Sequence, residues 1–181
     1  MKDYSKYIFL LGGYDLEMLE TRKILEQLHI AFFDNDFEWG AKLSSYANRF
    51  DKEHVFVGVE LLSDCKLPEN YIDFDRHNEK SKFPSLIEQV AELLRIELNH
   101  WQHLVAAIDK GYIPTLQVAG ATKGELLKIR KVDRAAQGVT EGDERLTKLS
   151  LWENLTTEQG ITIVKSLTSK FLTIIDRLSF K

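Results

Sequence analysis

The chain opens with a short apolar run followed by an amphipathic segment. Tyr7–Leu11 is continuous and β-favouring and stops at Gly12 and Gly13, a pattern typical of a strand buried on both faces. The residues after the glycines predict an amphipathic helix that begins near Asp15, a good helix-capping residue. The apolar positions of that helix recur at helical spacing and are Leu16, Leu19, Ile24 and Leu28. Together these segments predict a strand, a glycine turn and a helix.

Three more strands are predicted downstream, with helical sequence among them. Residues 30–33 form the second strand, which ends before Asp34, and residues 54–60 form the third. The fourth is predicted at Tyr71–Phe74. A helix is predicted over residues 39–50, between the second and third strands. Strands that alternate with helices along the chain predict an α/β fold in which helices flank a parallel sheet.

From Pro84 onward the pattern is mainly helical, and Pro84 itself is suited to a first helical turn. One strand is predicted in this half, at Ile161–Val164. We predict one α/β domain over residues 1–181, strand-rich over 1–83 and mainly helical over 84–181, and leave open whether a longer chain contains it. The helices predicted in the second half cover residues 86–94, 98–108, 126–136, 144–155 and 171–178.

The composition and net charge of the chain disfavour some classes of function. Of the 181 residues, 44% are hydrophobic and 29% charged, which is the balance of a folded globular protein. A net charge of −4 without a long basic run disfavours binding to duplex nucleic acid. Cys65 is the single cysteine, which excludes an internal disulfide and favours a reducing compartment, so we expect a cytoplasmic protein. The apolar run before Gly12 is too short for a membrane span, and homo-oligomerisation stays open.

Acidic residues follow every predicted strand of the first half. In a parallel sheet, ligands bind at the carboxyl ends of the strands, where loops meet. Residues that share this edge are therefore candidates for a binding site. In chain order they are Asp15 after the first strand, Asp34 and Asp36 after the second, Glu60 after the third, and Asp73, Asp75 and His77 at the fourth.

Two explanations fit these acids. Crowded carboxylates repel one another unless protons or a cation relieve them, and carboxylate and imidazole groups are good ligands for manganese, magnesium or zinc. A metal site is the functional hypothesis. The structural alternative makes Asp15 a helix cap, Asp34 and Asp36 turn formers, and Glu60 and Asp75 solvated loop residues.

The segment from Asp73 to Glu79 places several acidic or metal-binding groups directly after a strand, and Pro84 and Ser85 then open a helix. This pattern resembles the Asp-His-His motif region of the DHH phosphoesterase superfamily. Members include exonucleases, oligoribonucleases, cyclic-dinucleotide phosphodiesterases and family II pyrophosphatases. The resemblance implies a hydrolase of phosphoesters or phosphoanhydrides that uses manganese or magnesium. It implies a small phosphorylated molecule or short nucleotide as the substrate.

The resemblance extends over about the first two-thirds of the chain and can be followed residue by residue. Asp15 matches the first acid of the family's Asp-x-Asp motif, Glu60 lies near the position of a bridging aspartate, and Asp109 resembles the last metal-binding aspartate. It thus implies that Asp75 and His77 take part in catalysis, and Arg76 is a catalytic candidate because its planar guanidinium can contact a substrate phosphate. The implied metal ligands are Asp15, Glu60, Asp75, His77 and Asp109.

Three positions depart from the family pattern. The first histidine of the motif is replaced by Arg76, the second acid of the first motif is Glu17, and the first strand carries no histidine, with Leu11 four residues before Asp15. A guanidinium can occupy a vacated cation site and neutralise the same carboxylates. The alternative prediction is therefore a non-catalytic, DHH-like module that binds a phosphorylated small molecule or a protein partner.

Other polar groups have ordinary explanations beside functional ones. His100 and His103 are spaced to share one face of a helix, either as metal ligands or as surface or interface histidines. Gly12 and Gly13 permit either the close approach of an anion or a tight turn. One side of the helix at 126–136 is basic, which indicates phosphate contacts or a solvated face paired with nearby acids; its residues are Lys128, Arg130, Lys131 and Arg134.

Overall fold

A computed structural model describes residues 3–35, 40–75 and 82–179 of the chain. The chain divides into two compact units, Met1–Thr122 and Lys123–Lys181. The α/β fold is confirmed, with a parallel sheet flanked by helices in the first unit and mainly helices in the second. The change of pattern at Pro84 does not coincide with the division between the units, because two further helices belong with the sheet. That the chain forms one domain stays a prediction.

The sheet of the first unit has four parallel strands in the order β2-β1-β3-β4. The two central strands, β1 and β3, are the most buried, as their continuous apolar runs predicted. Each predicted strand of this half is confirmed to within one residue at either end. The strands are β1 Tyr7–Leu11, β2 Ala31–Asp34, β3 Val55–Val59 and β4 Tyr71–Phe74.

Side chains that alternate along β1 and β3 divide the core into two layers. Phe9 and Val57 belong to the layer that contains α1 (Leu16–Gln27) and α2 (Leu86–Leu94). Leu10 and Phe56 belong to the opposite layer, where they pack with Leu43 and Tyr46. These two residues lie in a 3₁₀ helix at Leu43–Arg49, which is found where an α-helix was predicted over residues 39–50. Tyr46 also ties this layer to β1, because its hydroxyl donates to the carbonyl of Leu11 at 2.7 Å.

Two helix predictions need correction. Pro84 precedes the N-cap Ser85 of α2 and does not lie in its first turn. Helix α3, His100–Val118, extends ten residues beyond the predicted end at 108, but its backbone is not helical at Gly111 and Tyr112. Pro114 explains this break, because proline has no N–H to donate and its ring clashes with the carbonyl four residues earlier.

The second unit contains three helices and a hairpin. The strand predicted at Ile161–Val164 is confirmed as β6, but its antiparallel partner β5, Leu155–Glu158, was not predicted. Gln159 and Gly160 both have positive φ, at 51° and 80°, as the two central residues of a tight hairpin turn require. The helices of this unit are α4 Lys123–Ala136, α5 Glu141–Glu153 and α6 Leu172–Ser179.

None of the helices within residues 3–35, 40–75 and 82–179 is both long enough and apolar enough to cross a membrane.

Gly58 on β3 lies directly under the ring of Tyr71 on β4, and a Cβ atom at Gly58 would lie 2.5 Å from Tyr71 Cζ. We expect Gly58→Ala to destabilise the protein by about 1–3 kcal/mol, because the ring must move within a packed sheet. Urea unfolding followed by circular dichroism measures this loss. In a Tyr71→Val background the same substitution should cost much less, and an equal cost in both backgrounds would show that the ring is not the obstacle.

Candidate acidic site

Three parallel strands of the first unit end at the same level. Leu11 is the register partner of Val59, and Val59 is the partner of Phe74. The hydrogen bonding continues one residue further, since the N–H of Gly12 donates to Val59 O at 3.0 Å and that of Glu60 to Phe74 O at 2.9 Å. The residues that follow β1, β3 and β4 therefore lie side by side along one edge.

The strand order marks a particular place on this edge. From β1 the chain goes to β2 on one side, and then crosses to β3 and β4 on the other. Connections that leave in opposite directions open a crevice beyond the carboxyl ends of β1 and β3, the usual binding place in such sheets. Asp15 caps α1 directly after β1, and Glu60 directly follows β3.

Glu60 has an unusual backbone conformation, with φ at 53° in the left-handed region. Its carboxyl group lies against Gly13, whose own φ is 87°, and a Cβ atom at Gly13 would lie 2.7 Å from Glu60 Oε2. Gly13 has no side chain and therefore permits the close approach of the Glu60 carboxyl group. The predicted approach of a bound anion to the helix N-terminus stays a prediction.

Glu17 is a buried acid of the same region, with only 3% of its surface exposed. Its Oε1 accepts a hydrogen bond at 3.0 Å from the backbone N–H of Ile87, in the first turn of α2. Its Oε2 is buried and has no hydrogen-bond partner among the described residues. Burial raises the pKa of Glu17 well above its usual range, and the charges of Asp109 and Asp15 raise it further.

The acids of this edge act on one another electrostatically. Burial, together with the charges of Asp15, Glu17, Asp109 and Asp75, raises the pKa of Glu60 to about 9. Asp15, Asp75 and Asp109 are half-buried. The structure thus brings together four of the residues proposed from sequence, and Glu17 with them. Arg76 and His77 lie outside the described residues.

Glu17 was not proposed as a member of the site, because it is not one of the apolar positions of the predicted helix and was noted only as a departure from the family's first motif. A signal was nevertheless present in the sequence. Glu17, Thr21 and Ile24 are spaced by four and seven positions, so they share one helical face, and all three are buried. A charged residue in line with a core isoleucine indicates a buried acid.

Several other strand-end and helical candidates are not part of this group. Asp34 forms an ion pair with Arg22 at 2.9 Å, Asp73 is exposed, and Asp36 lies outside the described residues. His100 and His103 are both exposed at the start of α3, in agreement with the surface interpretation. Asp15 does act as a helix cap, since its Oδ1 accepts from the N–H of Met18 at 2.9 Å.

A second strained residue lies close to the site in sequence. Tyr112, three residues after Asp109, has φ at 63° and ψ at −143° in the break of α3. Such conformations cost of order 1–3 kcal/mol for a residue with a side chain and concentrate at functional sites. Thr115 Oγ1 stabilises the break by donating to the carbonyl of Tyr112 at 2.8 Å.

The acids of this edge have the right ligand atoms for a hard divalent cation, but they are not arranged as a metal site. All of the described donors are carboxylate oxygens, which magnesium and manganese prefer. Within residues 3–35, 40–75 and 82–179, however, no three His, Cys, Asp or Glu side chains are arranged to hold a metal ion. A complete ligand set would therefore need either a rearrangement of these acids or the predicted ligand His77.

The chain matches no protein family model, no curated protein and no solved structure.

The raised pKa of Glu60 predicts a stability that falls with pH. Glu60 holds a proton in the folded state up to about pH 9, but in the unfolded chain it loses that proton near 4.5. The free energy of unfolding should therefore fall between these two values, by up to about 1.4 kcal/mol per pH unit for one such group. Urea unfolding in metal-free buffers from pH 5 to pH 9 measures the slope.

Glu60→Gln should flatten this pH dependence, because glutamine keeps the shape but does not titrate. Glu69→Gln, in an exposed loop, is the control and should leave the slope unchanged. Equal slopes in the wild-type protein and in Glu60→Gln would contradict the assignment of the buried proton to Glu60.

Proposed function

We propose that this chain is a metal-dependent hydrolase of phosphoesters or phosphoanhydrides that acts on a nucleotide-like or small phosphorylated substrate. The observation that supports the proposal is that Asp15, Glu17, Asp75 and Asp109 all act electrostatically on the buried Glu60, at the end of the sheet where β1, β3 and β4 finish. The resemblance of the segment from Asp73 to Glu79 to the DHH motif region supplies the reaction class.

Electrostatics supports the choice of a divalent cation. Burial, together with the charges of four neighbouring acids, raises the pKa of Glu60 to about 9 and so keeps a proton on it at neutral pH. A bound cation would favour the ionised form of these acids. Manganese or magnesium would lower the pKa of a bound water and stabilise charge on the transferred phosphoryl group. Asp15, Glu60, Asp75, Asp109 and His77 are the proposed ligands.

Arg76 is proposed to bind the substrate phosphate, because a planar guanidinium can donate two parallel hydrogen bonds to phosphate oxygens. A small phosphorylated ligand is compatible with the net charge of −4, since one metal ion and one arginine offset its charge locally. A single cysteine suits a reducing compartment, so we place the protein in the cytoplasm.

Asp15→Asn tests the proposal with little risk to the fold. Asparagine keeps the cap, because its side-chain oxygen can still accept from the Met18 N–H, but it removes one negative charge. We expect manganese affinity, measured by isothermal titration calorimetry, to fall about tenfold or more. Manganese-dependent hydrolysis of p-nitrophenyl thymidine 5′-phosphate should fall at least as far. Asp109→Asn should behave in the same way.

Glu69→Gln is again the matched control and should change neither affinity nor rate. Pyrophosphate and p-nitrophenyl phosphate, tested beside the nucleotide ester, separate phosphoanhydride, monoester and diester hydrolysis. Absence of manganese and magnesium binding to the wild-type protein would overturn the proposal, as would hydrolysis that persists undiminished in Asp15→Asn and Asp109→Asn.

A non-catalytic module is the second candidate function. The observation in its favour is that the described residues contain no ready-made set of three metal ligands. In that case protons relieve the buried acids, and the domain binds a phosphorylated small molecule or a protein partner without hydrolysing anything. Binding of a phosphorylated nucleotide without metal uptake or turnover would favour this candidate over the enzyme.

A further inference from the structure

The second unit contains a cavity of about 590 Å³, a volume in the range of small-molecule sites. Three helices each present one face to it. On α5 the lining residues Glu144, Lys148, Leu151 and Trp152 are spaced by four, seven and eight positions, which is one side of a helix. Helix α4 contributes Arg130 and Arg134 among others, and α6 contributes Asp176 and Arg177.

The inner wall of the cavity is an ion-pair network. Arg130, only 1% exposed, donates to Asp176 at 2.7 Å and to Asp133 at 2.5 Å. Arg134 bonds to Asp176 and, at 3.1 Å, to Glu144. The basic side predicted for α4 is thus in part buried, and the prediction of a solvated face is wrong for Arg130. Such fixed charges make a polar wall whose geometry is set before any ligand arrives.

The residues that line or support the cavity carry one more positive charge than negative charge. Three arginines, Arg130, Arg134 and Arg177, face three carboxylates, Asp133, Glu144 and Asp176. Lys148 also lines the cavity and forms no ion pair with any described residue. Arg177 uses Nη2 on Glu144 at 2.6 Å, and its buried Nε has no acceptor in the described part of the chain.

The outer wall is apolar and aromatic. Trp152 lines the cavity with 88% of its surface exposed, and Leu127, which also lines it, is 49% exposed. An exposed indole next to a spare cation offers a ring face for stacking within reach of a charged group. Singly exposed apolar residues need no explanation, but here they border a cavity of ligand size.

We infer that this cavity binds a small organic anion that carries a planar aromatic ring. The ring would stack on Trp152 and contact Leu127 and Leu151, while the anionic group would accept hydrogen bonds from Lys148 and Arg177. The site lies wholly within residues 123–181, so it does not depend on the acidic site or on the function proposed for it.

Three small compounds test this inference by calorimetry on the full chain. The probe is 2-naphthoate, which has both a planar ring and a charge. 2-Naphthamide keeps the ring and loses the charge, and cyclohexanecarboxylate keeps the charge and loses the planar ring. We expect 2-naphthoate to bind with one-to-one stoichiometry and each of the others to bind about tenfold or more weakly.

Lys148→Ala and Trp152→Ala should each weaken 2-naphthoate binding about tenfold, and neither should unfold the protein, because both side chains are exposed. Lys165→Ala and Ile161→Ala are matched controls, since both residues are exposed in the same unit but do not line the cavity. Circular dichroism checks that every variant is folded. The inference is overturned by no binding at millimolar 2-naphthoate, by equal binding of the amide, or by undiminished binding to either lining variant.

Discussion

The burial of acids that also repel one another, at the carboxyl edge of the sheet, is the constraint on which the first unit depends. The register of β1, β3 and β4 fixes Glu60 and Asp75 beside each other, and the cap of α1 and the helix α3 bring Asp15 and Asp109 to the same edge. Glu17 cannot turn away to solvent, because the face of α1 that carries it is packed against α2. This charge must be relieved by protons or by a cation. Folding stability and the proposed metal chemistry therefore depend on the same carboxyl groups.

The backbone near these acids adopts energetically unfavourable conformations. Glu60 and Tyr112 adopt conformations that residues with side chains rarely take, and Gly13 has no side chain where the carboxyl of Glu60 lies. Strain of this kind persists only where the surrounding structure imposes it, and it is common at binding and catalytic sites. In the second unit, by contrast, the buried carboxylates of Asp133 and Asp176 are paired with Arg130 and Arg134.

Much of the first unit was predictable because its signals are local. The continuous apolar runs of β1 and β3 and the capping pattern around Asp15 depend on neighbouring residues only, and they gave the strands and α1 nearly as observed. The meeting of Asp15, Glu60 and Asp75 followed from the rule that parallel strands end at one edge. Arg76 and His77 fall outside the described residues, so their roles stay predictions.

What the sequence did not predict depends on tertiary contacts. Glu17 and Arg130 are buried because the helix faces that carry them pack inward. From residue type alone, both would be expected at the surface. β5 has the sequence Leu-Thr-Thr-Glu, and only its pairing with β6 makes it a strand. The 3₁₀ helix at Leu43–Arg49 is held by tertiary packing of Leu43 and Tyr46 against the sheet, which periodicity does not report.

The most direct test of the account is the titration of the Glu60 carboxyl carbon by ¹³C nuclear magnetic resonance, with and without saturating magnesium. The account predicts a pKa of about 9 for Glu60 in the metal-free protein. It predicts a fall of several units when magnesium is present, because a cation among the carboxylates favours the ionised form. A pKa near the ordinary 4.5 without metal would contradict the crowded acidic site, and a raised pKa that magnesium leaves unchanged would contradict metal binding there.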